Sequence, residues 1–210
     1  MTAAKLRQVR LRRPKQRRAQ TTVAAIVEGA TRVLAERGWS GFNTNIVAER
    51  AGVSIGSLYE YFPNKQAIID TIFSEHLAKG EALVSAAADR FSNEDSLDTL
   101  VMSLVEGFII LHKDDPRLHR VLSSEVPLSP KTRSRIDDLR RGVFSLVATA
   151  LEGQCDKPKL TAQLLVETAD SLTHRWFTEE DGSLAPPETM KHELTRMLNA
   201  YLGLAANTHH

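Results

Sequence analysis

The stretch from Phe42 to Lys65, FNTNIVAERAGVSIGSLYEYFPNK, decides how the rest of the chain is read. Asn43 or Thr44 can cap a short helix carrying Ile46, Val47 and Ala48, and Ala51-Gly52 ends it because glycine tolerates the left-handed geometry of a tight turn. Ser54 then caps a second short helix, Ile55 to Phe62, which Pro63 cannot continue. Two short helices can cross steeply around such a turn only if the residues facing the crossing are small or apolar. Ala48, Ala51, Val53, Leu58 and Phe62 meet that demand. At about 100° per residue, Ile55, Leu58 and Phe62 fall on one face of the second helix, Gly56, Ser57 and Tyr61 point away, and Tyr59 sits on the rim.

That outward face is small and rich in hydroxyls, which suits the major groove of a DNA duplex. Serine can bond base edges or phosphates, glycine permits close approach, and tyrosine hydroxyls reach phosphate oxygens. Lys65 opens the next helix, where free backbone N–H groups and the helix dipole already favour an anion. Thr44 stands at the start of the first short helix, where its hydroxyl and the neighbouring amides can hold the strand on the other side of the groove.

Working outward, the charge is uneven although the chain as a whole is only +1. Residues 1–65 hold 12 Lys/Arg against 4 Asp/Glu, and the remainder 15 against 22. A basic front on an acidic body implies that one end meets a polyanion. Residues 1–20 carry eight basic residues, Arg17 and Arg18 among them, and no acid. They are expected to form a flexible arm that either follows the DNA backbone and minor groove or stays a solvated tail.

Val23, Ile26, Val27, Ala30, Val33 and Leu34 predict a helix over about 22–37, with Gly38 at its C-terminal cap. Asn64 caps a long helix reaching about Phe91. Further amphipathic runs follow at about 97–111, 117–124, 130–152, 158–177 and 187–204, separated by polar or Pro- and Gly-bearing stretches. No strand alternation or repeat occurs, so the fold class is all-α.

No apolar run approaches the roughly 18 to 20 residues of a membrane span, and no secretory leader opens the chain. The lone Cys155 excludes an intrachain disulfide framework and suits a reducing compartment, so a cytoplasmic protein is expected. The chain has no phosphate-binding glycine loop, no spaced Cys/His zinc set and no nucleophile elbow, and it is read as a non-enzyme. Glu167, Asp170 and His174 share a helix face, and His112, Asp114, Asp115 and His119 form a second loose group. Both are read as charged faces or ion pairs, and no metal or cofactor is assigned.

AGVSIGSLYEYFPNK matches the helix-turn-helix signature of the TetR family of bacterial repressors, and the chain resembles that family over about residues 22–75. The resemblance implies an N-terminal three-helix DNA-binding domain (21–68), joined by a long helix to a C-terminal helical domain (69–206) that dimerises and binds a small-molecule effector. By matching position, Thr44, Ser54, Ser57, Tyr59, Tyr61 and Lys65 stand where the family touches DNA. Ile55 and Gly56, at the start of the reading helix, and Arg17 and Arg18 of the arm complete the candidate set. Phe42 departs from the pattern, which commonly has a polar residue there, so that position is expected to pack. The resemblance also places Phe108, His112, Phe144, Val147, Thr173, His174 and Phe177 around an effector cavity, although each taken singly reads more readily as ordinary core. The last two long helices would form a four-helix dimer interface. The implied function is a homodimeric regulator, a repressor by family expectation, that leaves a palindromic operator when the effector binds.

Overall fold

The structure is a computed structural model that describes residues 14–91, 96–113, 115–178 and 185–204. Most of the expected basic arm (1–13), the polar loop at 92–95, Asp114, most of the acidic loop (179–184) and the terminal pair His209 and His210 lie outside the described residues. Among the described residues every regular element is a helix: α1 (Pro14–Arg37), α2 (Thr44–Arg50), α3 (Ile55–Tyr61), α4 (Lys65–Phe91), α5 (Leu97–Lys113), α6 (Pro116–Ser124), α7 (Pro130–Ala150), α8 (Pro158–Thr178) and α9 (Pro187–Tyr201). No helix among them is long and apolar enough to cross a membrane.

The first helix differs from expectation. It begins at Pro14, so residues 14–20, expected as part of the arm, are helical and carry Arg17 and Arg18 on an exposed surface. The physical reason is local. Proline is tolerated at a helix start, and the Lys, Gln, Arg and Ala that follow are good helix formers even without an apolar stripe. Thr21 and Thr22 then donate their hydroxyls to the carbonyls of Arg17 and Arg18, at 3.0 and 2.9 Å.

The chain divides into two compact units that meet between Ile68 and Ile69. In the first, Ile26, Val27, Ala30, Val33 and Leu34 of α1 make a core with Val47, Ala48, Leu58 and Phe62. Gly52 has a φ of +68°, which makes the α2–α3 turn possible without strain. Gly29 serves a different purpose: a Cβ there would lie 3.2 Å from the backbone nitrogen of Ala51, tighter than nearly all real Cβ contacts, so a side chain would require the end of α2 to give by a few tenths of an ångström. A two-pronged pair from Arg50 to Glu36, at 2.8 and 2.9 Å, fastens α2 to α1 at the surface. Arg50 holds the Glu36 carboxyl below its ordinary range.

In the second unit α5 packs against α8 and α9, and α6 and α7 also pack on α8. Val101, Val105, Ile109, Val147, Leu151, Leu165, Leu194 and Leu198 form its buried centre. Asp115, from the second loose acidic group, caps α6 by accepting the Leu118 N–H at 2.9 Å.

Candidate functional site

The candidate recognition surface in the first unit is built from its caps upward. The Asn43 side-chain oxygen Oδ1 accepts the Asn45 N–H at 2.8 Å and starts α2. Ser54 Oγ accepts the Ser57 N–H at 3.0 Å and starts α3, and its own hydroxyl donates to Ser57 Oγ at 2.9 Å. Ser54 is therefore committed to holding the helix, while the proton of Ser57 Oγ is left for an outside acceptor. Asn64 caps α4 by accepting the Ala67 N–H at 2.9 Å.

Leu58 is fully buried and Phe62 nearly so, but Ile55 is 39% exposed. The expectation that Ile55 shares the inner face is corrected. As the first residue of α3 it lies one turn ahead of the crossing, beyond the reach of α2's apolar side. Tyr59 is 48% and Tyr61 37% exposed, so α3 displays Ile55, Gly56, Tyr59 and Tyr61 together. A Cβ at Gly56 would find only Ser54 Oγ, at 3.8 Å, so nothing inside the fold requires glycine there.

Tyr59 OH lies 3.0 Å from Thr44 Oγ1, tying the rim of α3 to the start of α2. Phe42 is buried and stacks on Trp39 with ring centroids 5.9 Å apart, so this position packs, as its departure from the family pattern implied. Lys65 Nζ sits 3.5 Å above the centre of the Trp39 ring in a cation–π contact, and Lys65 lines a shallow cleft with Thr44 and Tyr59. Arg17 and Arg18 are exposed on the first turns of α1.

The second unit encloses a cavity of about 510 Å³. Phe108, His112, Val147 and His174 line it; Phe144, Thr173 and Phe177 do not. Phe144 and Phe177 pack against the buried centre instead. Thr173 is fully buried and bonds its own helix through Ala169 O at 2.6 Å. Sequence reasoning missed the contribution of α4, which supplies Phe73, His76 and Leu77, and the charged groups Arg133, Asp137 and Arg140 of α7. An i, i+4, i+7 reading of α4 shows which residues are apolar without showing that they face a void.

Neither loose acidic group survives intact. Glu167 is exposed and accepts from Gln163. Members of both groups meet instead at the cavity wall, where His112 Nε2 is 4.0 Å from Asp170 Oδ1 and His119 Nε2 is 3.1 Å from His174 Nδ1. Burial, reinforced by the neighbouring His112, His76 and His174, pushes His119 down to about 2. Burial also lowers His112, against the opposing pull of the Phe108 carbonyl and Asp170.

Two family models match the chain. Residues 26–72 fit that of bacterial regulatory proteins of the tetR family, and residues 96–202 fit the tetracyclin repressor-like C-terminal domain. The fatty acid metabolism regulator protein of Bacillus subtilis is 23% identical over 194 residues, covering 88% of this chain and 94% of its own. Among solved structures, NalD, the secondary repressor of the MexAB-OprM multidrug efflux pump in Pseudomonas aeruginosa, superposes with a TM-score of 0.67 at 20% identity, covering 91% of this chain and 99% of its own. The regulator FadR from Bacillus subtilis in complex with stearoyl-CoA does so with a TM-score of 0.58 at 20% identity, covering 89% and 99%. With both its reading head and its larger helical unit matched, the chain belongs to the tetR family of bacterial regulatory proteins and is a DNA-binding transcriptional regulator.

Proposed function

We propose that the protein is a cytoplasmic, homodimeric repressor that reads a near-palindromic operator through the exposed face of α3 and releases it when a small molecule fills the cavity of the second unit. The observation that carries this is the pairing of an open Gly56 with the exposed Tyr59 and Tyr61 on a helix fixed by the Ser54 cap. Gly56 and Ser57 approach the base edges, Tyr59 and Tyr61 reach phosphates, and Thr44 and Lys65 hold the backbone beside them. Arg17 and Arg18 add sequence-independent attraction. The protein works by binding and does no chemistry on its ligands.

Dimerisation is supported by where the exposed apolar side chains lie. Leu160 and Leu164 are one turn apart on α8, and Met197 and Tyr201 one turn apart on α9. Two such helices from each copy give a four-helix seam, and the two-fold axis presents two copies of α3 to successive turns of a duplex.

The cavity volume falls in the range of small-molecule sites, and its walls are mostly apolar with a few charged handles. The effector is a largely apolar molecule with a polar end; the similar FadR structure is in complex with stearoyl-CoA, whose acyl chain is apolar in the same way. Helix α4 begins at Lys65 and carries Phe73, His76 and Leu77 on the cavity wall, so an occupant pushes on the same continuous helix that starts at the phosphate contact. Release requires that the occupant bind one conformation better than the other.

Selection from random duplex DNA with the purified protein should enrich one near-palindrome, preferred by roughly 10³ or more over bulk DNA. Enrichment of nothing, or of half-sites alone, would overturn the reading. Leu164→Glu combined with Met197→Glu should yield monomers by sedimentation and abolish the palindrome preference.

A further inference from the structure

Four imidazoles from four helices meet on the cavity wall: His76 of α4, His112 of α5, His119 of α6 and His174 of α8. One nitrogen from each of His112, His119 and His174 lies within 4.8 Å of the other two. His119 Nε2 and His174 Nδ1 are 3.1 Å apart. Two nitrogens on one tetrahedral ion, each about 2.0–2.1 Å from it, stand about 3.3 Å apart, so the His119–His174 pair already has ligand spacing, and the His112 nitrogen, within 4.8 Å of both, has to move inward to complete the set.

At His112 and His119 the outer contacts are those of metal-bound histidines, whose second nitrogen is normally occupied by a hydrogen bond that fixes tautomer and ring orientation. His112 Nδ1–H donates to the Phe108 carbonyl at 2.6 Å, which leaves the lone pair on Nε2, the nitrogen facing Asp170. His119 Nδ1 lies 3.2 Å from His76 Nε2, and the tautomer in which His119 Nδ1–H donates to His76 Nε2 leaves the lone pair of His119 Nε2 directed at His174. Nitrogen donors of this kind select zinc-like transition metals over magnesium or calcium, which require oxygen.

We propose that His112, His119 and His174 bind one divalent transition-metal ion, with His76 positioning His119 from outside the coordination shell and the fourth position, beside Asp170, open to the cavity. Three protein ligands with one open position is an arrangement that accepts an exogenous donor atom. The site therefore takes either the ion with water or the ion with an oxygen or nitrogen of a cavity ligand. The proposal stands whether or not the cavity also takes an apolar effector.

The test uses the full chain carrying His209→Ala and His210→Ala, so that the terminal pair adds no ligand, stripped with chelator and titrated with Co²⁺ alone. One Co²⁺ per chain should bind with the strong visible absorption of a four-coordinate ion and should be displaced by Zn²⁺. His76→Gln should weaken binding by about 10- to 100-fold while keeping the absorption band, as loss of an outer-shell partner does. His119→Gln should exceed that roughly 100-fold bound and remove the band. His174→Gln gives the same reading should His119→Gln lower the melting temperature. Absence of the band in the parent, or unchanged titrations for His119→Gln and His174→Gln, would overturn the proposal and leave a hydrogen-bonded imidazole chain.

Discussion

The reading head and the cavity are both made of helices, yet they are specified in opposite ways. Every group on the proposed recognition surface between Thr44 and Lys65 comes from one short stretch, and its geometry follows from caps and a turn only a few residues away. The cavity draws its wall from α4 through α8, so no local rule determines which side chains face the void. The lesson is that surfaces encoded within a few turns can be read directly from sequence, whereas concave sites depend on how distant helices pack.

That contrast can be broken by variants that ought to affect one region and spare the other. Gly56→Leu should give the largest effect, an operator affinity loss of about 10- to 100-fold in a binding titration, with the melting temperature unmoved because the space around Gly56 is open. A lowered melting temperature would show that Gly56 serves the fold. Val84→Trp, at a residue of α4 that also lines the cavity, should cut the binding of the fluorescent probe 1-anilinonaphthalene-8-sulfonate by roughly tenfold by filling the space, while Phe144→Leu leaves it unchanged. Equal effects from the two would mean that the probe sits elsewhere.

Lys65→Ala should reduce the slope of log affinity against log salt by about one unit, as loss of a single phosphate contact does. An unchanged slope would assign Lys65 to Trp39 alone. The smallest effect belongs to Glu36→Gln. Its carboxyl is depressed in the folded state, so the pair with Arg50 stabilises above the ordinary carboxylate range and is lost as pH falls through the folded value. Because the pair is exposed and screened, parent and variant should melt nearly together at neutral pH and coincide fully in acid. A clear separation at neutral pH would give the α1–α2 clamp more weight than its exposure allows.

Ser54, Asn64, Gly52 and the buried Leu58 and Phe62 were legible because capping, turn geometry and helical period act within a single turn. Ile55 was misplaced because period alone cannot tell where the partner helix ends. The start of α1 was missed because hydrophobic spacing was allowed to outweigh propensity, which carries the helix back to Pro14. Thr173 and Phe177 share α8 with His174, yet only the histidine lines the cavity; about 100° of rotation per residue separates wall from core. His76 lies 43 residues from its contact His119, and nothing between them in the sequence announces the meeting.

The tight approach at Gly29 bears on how such a regulator switches off. With no spare room between the first helix and the amide of Ala51, the N-terminal bundle has little capacity to soften by degrees. An inducing signal would then act on it as on a solid key, turning it out of register with its twin. Hydrogen-exchange protection of α1 to α3 should accordingly stay the same in the bound and released forms, even as the grip on DNA is lost.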